Sequence, residues 1–180
     1  HLGQFEKWLA EPPRSYCSVA SFNKSDKHRW QRNFSEEELE KLLAARAPGI
    51  GNLRDIHLGP RGASGRVRFV ELLGVSGELK LEPELVVRQF FGQLNSTAFV
   101  LDIERNFLGS VVGLVFHGAG WGHGVGMCQM GAIGRAEAGM SHQEILSHYY
   151  SGAEIQTLYP LPLPVPETAS LAPEASDSRP

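Results

Sequence analysis

The stretch HGAGWGHGVGMCQMGAIGRAEAG, His117 to Gly139, changes character halfway along. Its first half sets a glycine at every second position, Gly118, Gly120, Gly122, Gly124 and Gly126, with Ala119, Trp121, His123 and Val125 between them. Glycine accepts positive φ and lets backbone come close to a ligand. If the run is extended, one face is bare backbone and the other carries His117, Trp121 and His123, because alternate residues share a face. Beyond Met127 the pattern predicts a helix from Gln129 to Glu137, with Ala132 and Ala136 a turn apart and Gly139 as its stop. A glycine-rich segment bearing an imidazole therefore runs straight into a helix N-terminus, where unpaired N–H groups and a partial positive charge can meet a ligand. The run is not the dinucleotide-binding fingerprint, since no acidic residue stands at the proper distance after a following strand. A phosphate-binding glycine loop is a poor reading too, because no lysine follows the glycines.

Upstream, Val111–Phe116 reads as a strand that feeds the glycine run, and Phe99–Glu104 as another before it. Pro83 opens a short helix through Phe91, closed by Gly92. Leu53–Leu58 and Arg66–Leu73 read as strands around the turn Pro60-Arg61-Gly62-Ala63, with a short strand at Glu78–Leu81. Ser35 and Glu38 form a capping box for a helix whose apolar stripe is Leu39, Leu42 and Leu43, ended by Pro48-Gly49. The acids Glu36, Glu37, Glu38 and Glu40 read as a solvated helix start favoured by the helix dipole. Residues 1–34 read as irregular and aromatic. Downstream, Ser141 and Glu144 make a second capping box, Ile145, Leu146 and Tyr149 share a helix face, Gly152 stops it, and Glu154–Leu158 can return as a last strand. The expected architecture is α+β: a small, mostly antiparallel sheet or partial barrel with three to four short flanking helices.

A chain of 180 residues fits one domain with a core of its own. We read residues 1–158 as that domain and 159–180, rich in Pro, Ala, Ser and acids, as a disordered tail. The net charge is −3, and Glu167, Glu174 and Asp177 against Arg179 place most of it in the tail, so the body is near neutral and nucleic acid is not an expected partner. The two cysteines, Cys17 and Cys128, allow at most one bridge. No apolar run reaches the length of a membrane span. The first residue is His1 and no signal-peptide pattern follows, so the chain reads as a fragment or processed piece.

The string GWGHGVGMCQMGA resembles the signature of the stage II sporulation protein D (SpoIID/LytB) family, GxGHGVGMSQxGA, which is followed by a short helix and paired tyrosines. Here EILSHYYSG, Glu144 to Gly152, matches that continuation. Cys128 stands where the family usually has serine, so no thiolate is expected to be needed there. Further likenesses are SDKHRW (Ser25–Trp30) to "SPxYRW", SGRV (Ser64–Val67), Arg88 to the arginine of "xxRxxLG", and Leu94–Thr97 to "LKSTxF"; the match runs from about Ser15 to Leu158. The resemblance implies action on bacterial cell-wall glycan outside the cytoplasm. The sporulation protein is a lytic transglycosylase, and LytB relatives were named as enhancers of wall amidases. Glycoside cleavage needs a carboxyl group to protonate the leaving oxygen. In the family that glutamate lies in a motif like "LKAQAVAARTYAL", which this sequence does not contain, and Glu6 and Glu11 lack its surroundings. The catalytic glutamate is thus expected upstream of His1, and this part is expected to hold glycan with little or no lytic activity of its own. The alternative is a non-catalytic amidase enhancer or wall-binding module. Expected partners are peptidoglycan strands and a wall amidase. Some family members hold zinc near the Cys17 region, but Cys17, His28 and His1 offer one sulfur where a closed zinc site wants four ligands, so neither metal nor cofactor is expected.

Candidate substrate-binding residues are His123, Gly122, Gly124, Gln129, Arg66, Arg88, Ser96 and Trp121. His123 can hydrogen-bond a sugar hydroxyl or shuttle a proton, or be a structural hydrogen-bonded histidine. Gln129 can bond a sugar amide or cap the glycine loop. Trp121 can stack on a sugar face or belong to the core, and Arg88 can cover a helix flank. Tyr149 and Tyr150 read as packing. Muramic acid freed of its peptide exposes a lactyl carboxylate, and the start of the helix near Cys128 is a natural place for that anion.

Overall fold

The computed structural model describes residues 2–23, 28–156 and 159. The expected tail beyond residue 159, the end of the expected last strand, and residues 25–27 of the SDKHRW element lie outside the described residues. Among the described residues the chain forms α1 (Leu2–Ala10), α2 (Tyr16–Val19), β1 (Arg29–Phe34), α3 (Glu36–Arg46), β2 (Leu53–Leu58), β3 (Val70–Gly74), β4 (Glu78–Leu81), α4 (Glu84–Phe90), β5 (Phe99–Arg105), β6 (Val111–Ala119), α5 (Gln129–Glu137) and α6 (His142–Tyr149). The fold is α+β, and the described residues form two three-stranded antiparallel sheets, ordered β1-β6-β5 and β2-β3-β4, and no closed barrel. None of the described helices is long and apolar enough to cross a membrane.

Strand β6 is central because its sequence VVGLVFHGA has little to offer water on either side, and most of it is buried. It pairs with β1 from Arg29↔Ala119 to Phe34↔Leu114 and with β5 from Phe99↔Gly118 onward. The core gathers around Phe116, fully buried, whose ring lies 5.9 Å from that of Phe34 and 4.9 Å from those of Phe91 and Phe99. Helix α3 adds Leu39 and Leu43, and its capping box forms as expected: Glu38 N–H donates to Ser35 Oγ (3.3 Å) and Ser35 N–H to the Glu38 carboxylate (3.1 Å). Helix α4 adds Val87 and Phe90, and sheet β2-β3-β4 adds Ile56, Val70, Leu72 and Leu81.

Three expectations need correcting. Residues 1–34 are not irregular: they hold α1, α2 and β1, so six helices are described where three to four were expected. β1 escapes a local reading because its middle, Gln31 to Asn33, is polar and exposed, and its partner lies far along the chain. The strand expected from Arg66 begins only at Val70. Val67 instead donates its N–H to Thr97 O (2.9 Å) while bridging Arg61, and Arg68 N–H donates to Pro60 O (3.1 Å), so these residues pair irregularly with the turn rather than as a strand. Finally, Glu154–Gln156, the described part of the expected last strand, pair with no strand.

Candidate functional site

The expected extended glycine run ends early. β6 stops at Ala119, and Gly120, Gly122, Gly124 and Gly126 all take positive φ, between 69° and 85°. A left-handed residue at every second position breaks the strand, so His117 does not share a face with Trp121 and His123. It lies on the sheet, its Nε2 3.1 Å from Asp102, beside a groove of about 590 Å³ that Glu6, Arg29, Trp30 and Gln31 also line. The glycine segment instead forms a lip that projects from the end of the central strand.

The lip is held from below. Gly120 N–H donates to His28 O (3.1 Å), Gly122 N–H to Asn95 O (2.8 Å), and Trp30 Nε1–H to Gly120 O (3.0 Å). Arg66 lies across it, donating from Nε to Gly122 O (3.1 Å), and a Cβ on Gly124 would overlap its guanidinium. Burial, above all, lowers the Arg66 pKa from its ordinary value. Gly118 serves differently: the Trp30 ring occupies the place of its missing side chain. At the far end Met127 N–H donates to Tyr150 Oη (3.3 Å), and Tyr149 sits where a side chain on Gly131 would be. Tyr149 thus packs against α5, as expected, whereas the exposed Tyr150 ties the lip to the end of α6 through its hydroxyl.

Side chains between the glycines face outward. Trp121 is 60% exposed and Val125 76%, and His123 is exposed as well. His123 Nδ1 accepts the Val125 N–H (3.0 Å), so the neutral ring carries its proton on Nε2 and presents a donor to solvent. Gln129 is exposed at the first position of α5, whose N-cap is Cys128; the Cys128 sulfur accepts the Gly131 N–H (3.3 Å).

The predicted residues therefore fall into two tiers. Gly122, Gly124, Trp121, His123 and Gln129 form the exposed lip and its exit. Arg66, Arg88 and Ser96 lie beneath or behind it. Ser96 is fully buried, donating from Oγ to Ala119 O (2.8 Å) and accepting the Ala98 N–H (3.2 Å), so it fixes the root of the lip rather than facing solvent. Arg88 donates from Nε to Leu94 O (2.7 Å) and pairs with Glu84 (3.6 Å), which fixes the turn leading to Asn95 and Ser96. Ser96→Ala strips buried backbone groups of a partner, and should cost about 1–3 kcal/mol in denaturant unfolding. A shift below about 0.5 kcal/mol, within the range of an inconsequential surface change, would contradict this role.

Sequence reasoning missed the lip's supports: the His28 carbonyl, Trp30 and the Tyr150 hydroxyl. It also missed that Cys17 of α2 meets Cys128. Cys17 and Cys128 influence each other electrostatically, and Ser15 Oγ lies 3.2 Å from Cys17 Sγ. The neighbouring Cys128, helped by Ser15 and His28, lowers the Cys17 thiol to about 5, while Cys17 and burial push Cys128 up. The signal available in sequence was that the chain has only two cysteines.

A family model described as a domain of unknown function, DUF8618, matches residues 15–126, more than half of the chain. An uncharacterized protein of Brachyspira hyodysenteriae is 51% identical over 43 residues, 24% of this chain and 12% of that protein. A protein of Bacillus subtilis named amidase enhancer is 55% identical over 38 residues, 21% of this chain and 5% of that protein. The likeness to these relatives is thus local, and it spans only a small part of their length.

Proposed function

Since the chain belongs to the DUF8618 family, whose description carries no function, its role rests on its own residues, and we propose that it is a cell-wall glycan-binding module that acts outside the cytoplasm without cleaving glycan itself. The observation that carries this reading is the lip: a backbone fixed from below that holds Trp121 and the His123 Nε2–H out to solvent. An exposed indole offers a flat apolar face to a sugar ring, and an imidazole N–H offers a hydrogen-bond donor to its hydroxyls. The half-buried Arg66 cation and the N-terminal end of α5 add positive potential near Cys128, suited to the lactyl carboxylate of peptide-free muramic acid. The signature resembling SpoIID/LytB and the local likeness to the amidase enhancer favour a wall polymer over other glycans, and an enhancer-like role beside a wall amidase over an isolated lectin.

The test is sedimentation of the chain with insoluble peptidoglycan stripped of its stem peptides. Trp121→Ala and His123→Ala should each weaken retention about tenfold, the equivalent of about 1.4 kcal/mol. Gln129→Glu should weaken it by adding negative charge at the helix start. Circular dichroism of each variant should match the parent, since these side chains are exposed. Retention unaltered in all three variants would remove the lip from the reading. Anhydro-muramic ends released by the chain alone would replace the binding module with the alternative, a lytic transglycosylase.

A further inference from the structure

The turn that joins β5 to β6 runs Asn106-Phe107-Leu108-Gly109-Ser110. Turn tips ordinarily take Gly, Pro, Asn, Asp and Ser, yet here Phe107 is 94% exposed and Leu108 75%. The backbone beneath them is tied down. Asn106 N–H donates to Ser110 O (3.0 Å), Gly109 N–H donates to Asn106 O (2.9 Å), and Asn106 Oδ1 accepts the N–H groups of Leu108 and Ser110 (both 3.0 Å). Arg105 braces the turn against β2, donating to Gly109 O (3.0 Å) and Arg54 O (2.8 Å) and pairing with Asp55. A fixed frame therefore holds the two apolar side chains outward. The turn between β3 and β4 stands beside it, since a groove of about 410 Å³ is lined by Leu73 and Gly74 together with Leu108 and Gly109. That second turn adds Val75, 61% exposed.

Leaving such side chains in water costs free energy that an apolar surrounding recovers. A protein partner is a poor occupant. An aromatic side chain offers at most about 250 Å² and Leu and Val offer less, so the three fall short of the roughly 800 Å² per partner that a stable protein contact buries. A bilayer asks for no such area and no complementary shape, only apolar groups that project past the headgroups. Charge does not oppose this contact, because Arg54 and Arg105 stand near Asp55, Glu78 and Glu104 and leave the rim nearly balanced. We propose that Phe107, Leu108 and Val75 form a membrane-touching tip that inserts into the interfacial region of a lipid bilayer without spanning it. The tip precedes β6 and the lip follows it, so the nine residues of that strand set them roughly 30 Å apart. Seated on a bilayer, the molecule holds Trp121 and His123 away from the lipid. The bilayer contact does not depend on glycan binding, and either can fail alone.

The experiment sediments the full chain with large vesicles of phosphatidylcholine, and with vesicles of phosphatidylcholine and phosphatidylglycerol in equal parts. The wild type should pellet with both, with affinities within about threefold of each other, since apolar insertion and not charge drives the contact. The double variant Phe107→Ser, Leu108→Ser should bind at least about tenfold more weakly. Its circular dichroism should match the parent, since both side chains are exposed. Phe107→Trp reports the orientation. The native tryptophans lie at the lip end: Trp8 stacks on Arg29, which pairs with Ala119, Trp30 covers Gly118, and Trp121 is in the lip itself. Lipids brominated on their acyl chains should leave wild-type fluorescence unchanged and quench the emission that Phe107→Trp adds. A wild type that stays in the supernatant would overturn the proposal. So would undiminished binding of the double variant, or quenching of the native tryptophans in place of the added one. A dimer in sedimentation velocity that the double variant abolishes would overturn it too, by making the tip a contact between copies.

Discussion

Phe116→Ala should destabilise the fold by about 3–5 kcal/mol, the range for removing a buried aromatic ring. The site cannot relax to fill the space. Phe116 is fully enclosed, touches the rings of Phe34, Phe91 and Phe99, and stands on the central strand β6 between Arg32 of β1 and Leu101 of β5. Each lost ring pair takes up to about 1.5 kcal/mol beyond the area term, which places the expectation in the upper part of the range. For a domain of this size the melting temperature should fall by roughly 10 °C or more. Differential scanning calorimetry of Phe116→Ala and Phe116→Leu measures it, with the leucine variant losing less. A loss under about 1.5 kcal/mol for alanine, the most a volume-conserving swap usually costs, would mean that β6 is not the centre of the core.

Gly124→Ala should be the most damaging single change in the lip, costing about 2.5–5 kcal/mol. Two terms contribute. A non-glycine residue in the left-handed region, here at φ 69°, costs about 1–2 kcal/mol. The new methyl group also overlaps the Arg66 guanidinium, and displacing it breaks the bond from Nε to Gly122 O, a charged hydrogen bond of the kind worth about 1.5–3 kcal/mol. The terms separate in a double-mutant cycle. With Arg66→Ala as background only the backbone cost remains, so Gly124→Ala should then take about 1–2 kcal/mol. Urea unfolding of the four proteins gives the coupling directly. Strict additivity would show that Arg66 does not rest on the lip.

What could be read beforehand follows from the range of the interactions. Both capping boxes, Ser35 with Glu38 and Ser141 with Glu144, are written within four residues, and both form. The helix expected at Gln129–Glu137 has those bounds, because the glycines before it and Gly139 after it punctuate the chain locally. β1 was hidden because RWQRNF becomes a strand only through β6, and Arg66–Phe69 was misread because Val67, while bridging Arg61, gives its N–H to Thr97, which interrupts the regular ladder. The site divides in the same way. The glycine at every second position could be seen in the alternation, but not that its positive φ angles end the strand at Ala119 and part His117 from Trp121 and His123. Nor could the lip's supports: Arg66 over Gly124, Trp30 over Gly118 and Cys17 against Cys128 are all encounters between distant segments, for which neither periodicity nor spacing leaves a trace.

The alternation in the lip also separates two tasks that most binding loops entangle. Even-numbered positions from 120 to 126 set the path of the main chain, and the odd-numbered residues Trp121, His123 and Val125 project from it into solvent, His123 also bonding the Val125 N–H. A change at an odd-numbered position alters what the segment shows to solvent, whereas a change at an even-numbered one strains the main chain itself. The segment works as a rail with exchangeable fittings, suited to a scaffold that must keep its shape while what it grips diversifies.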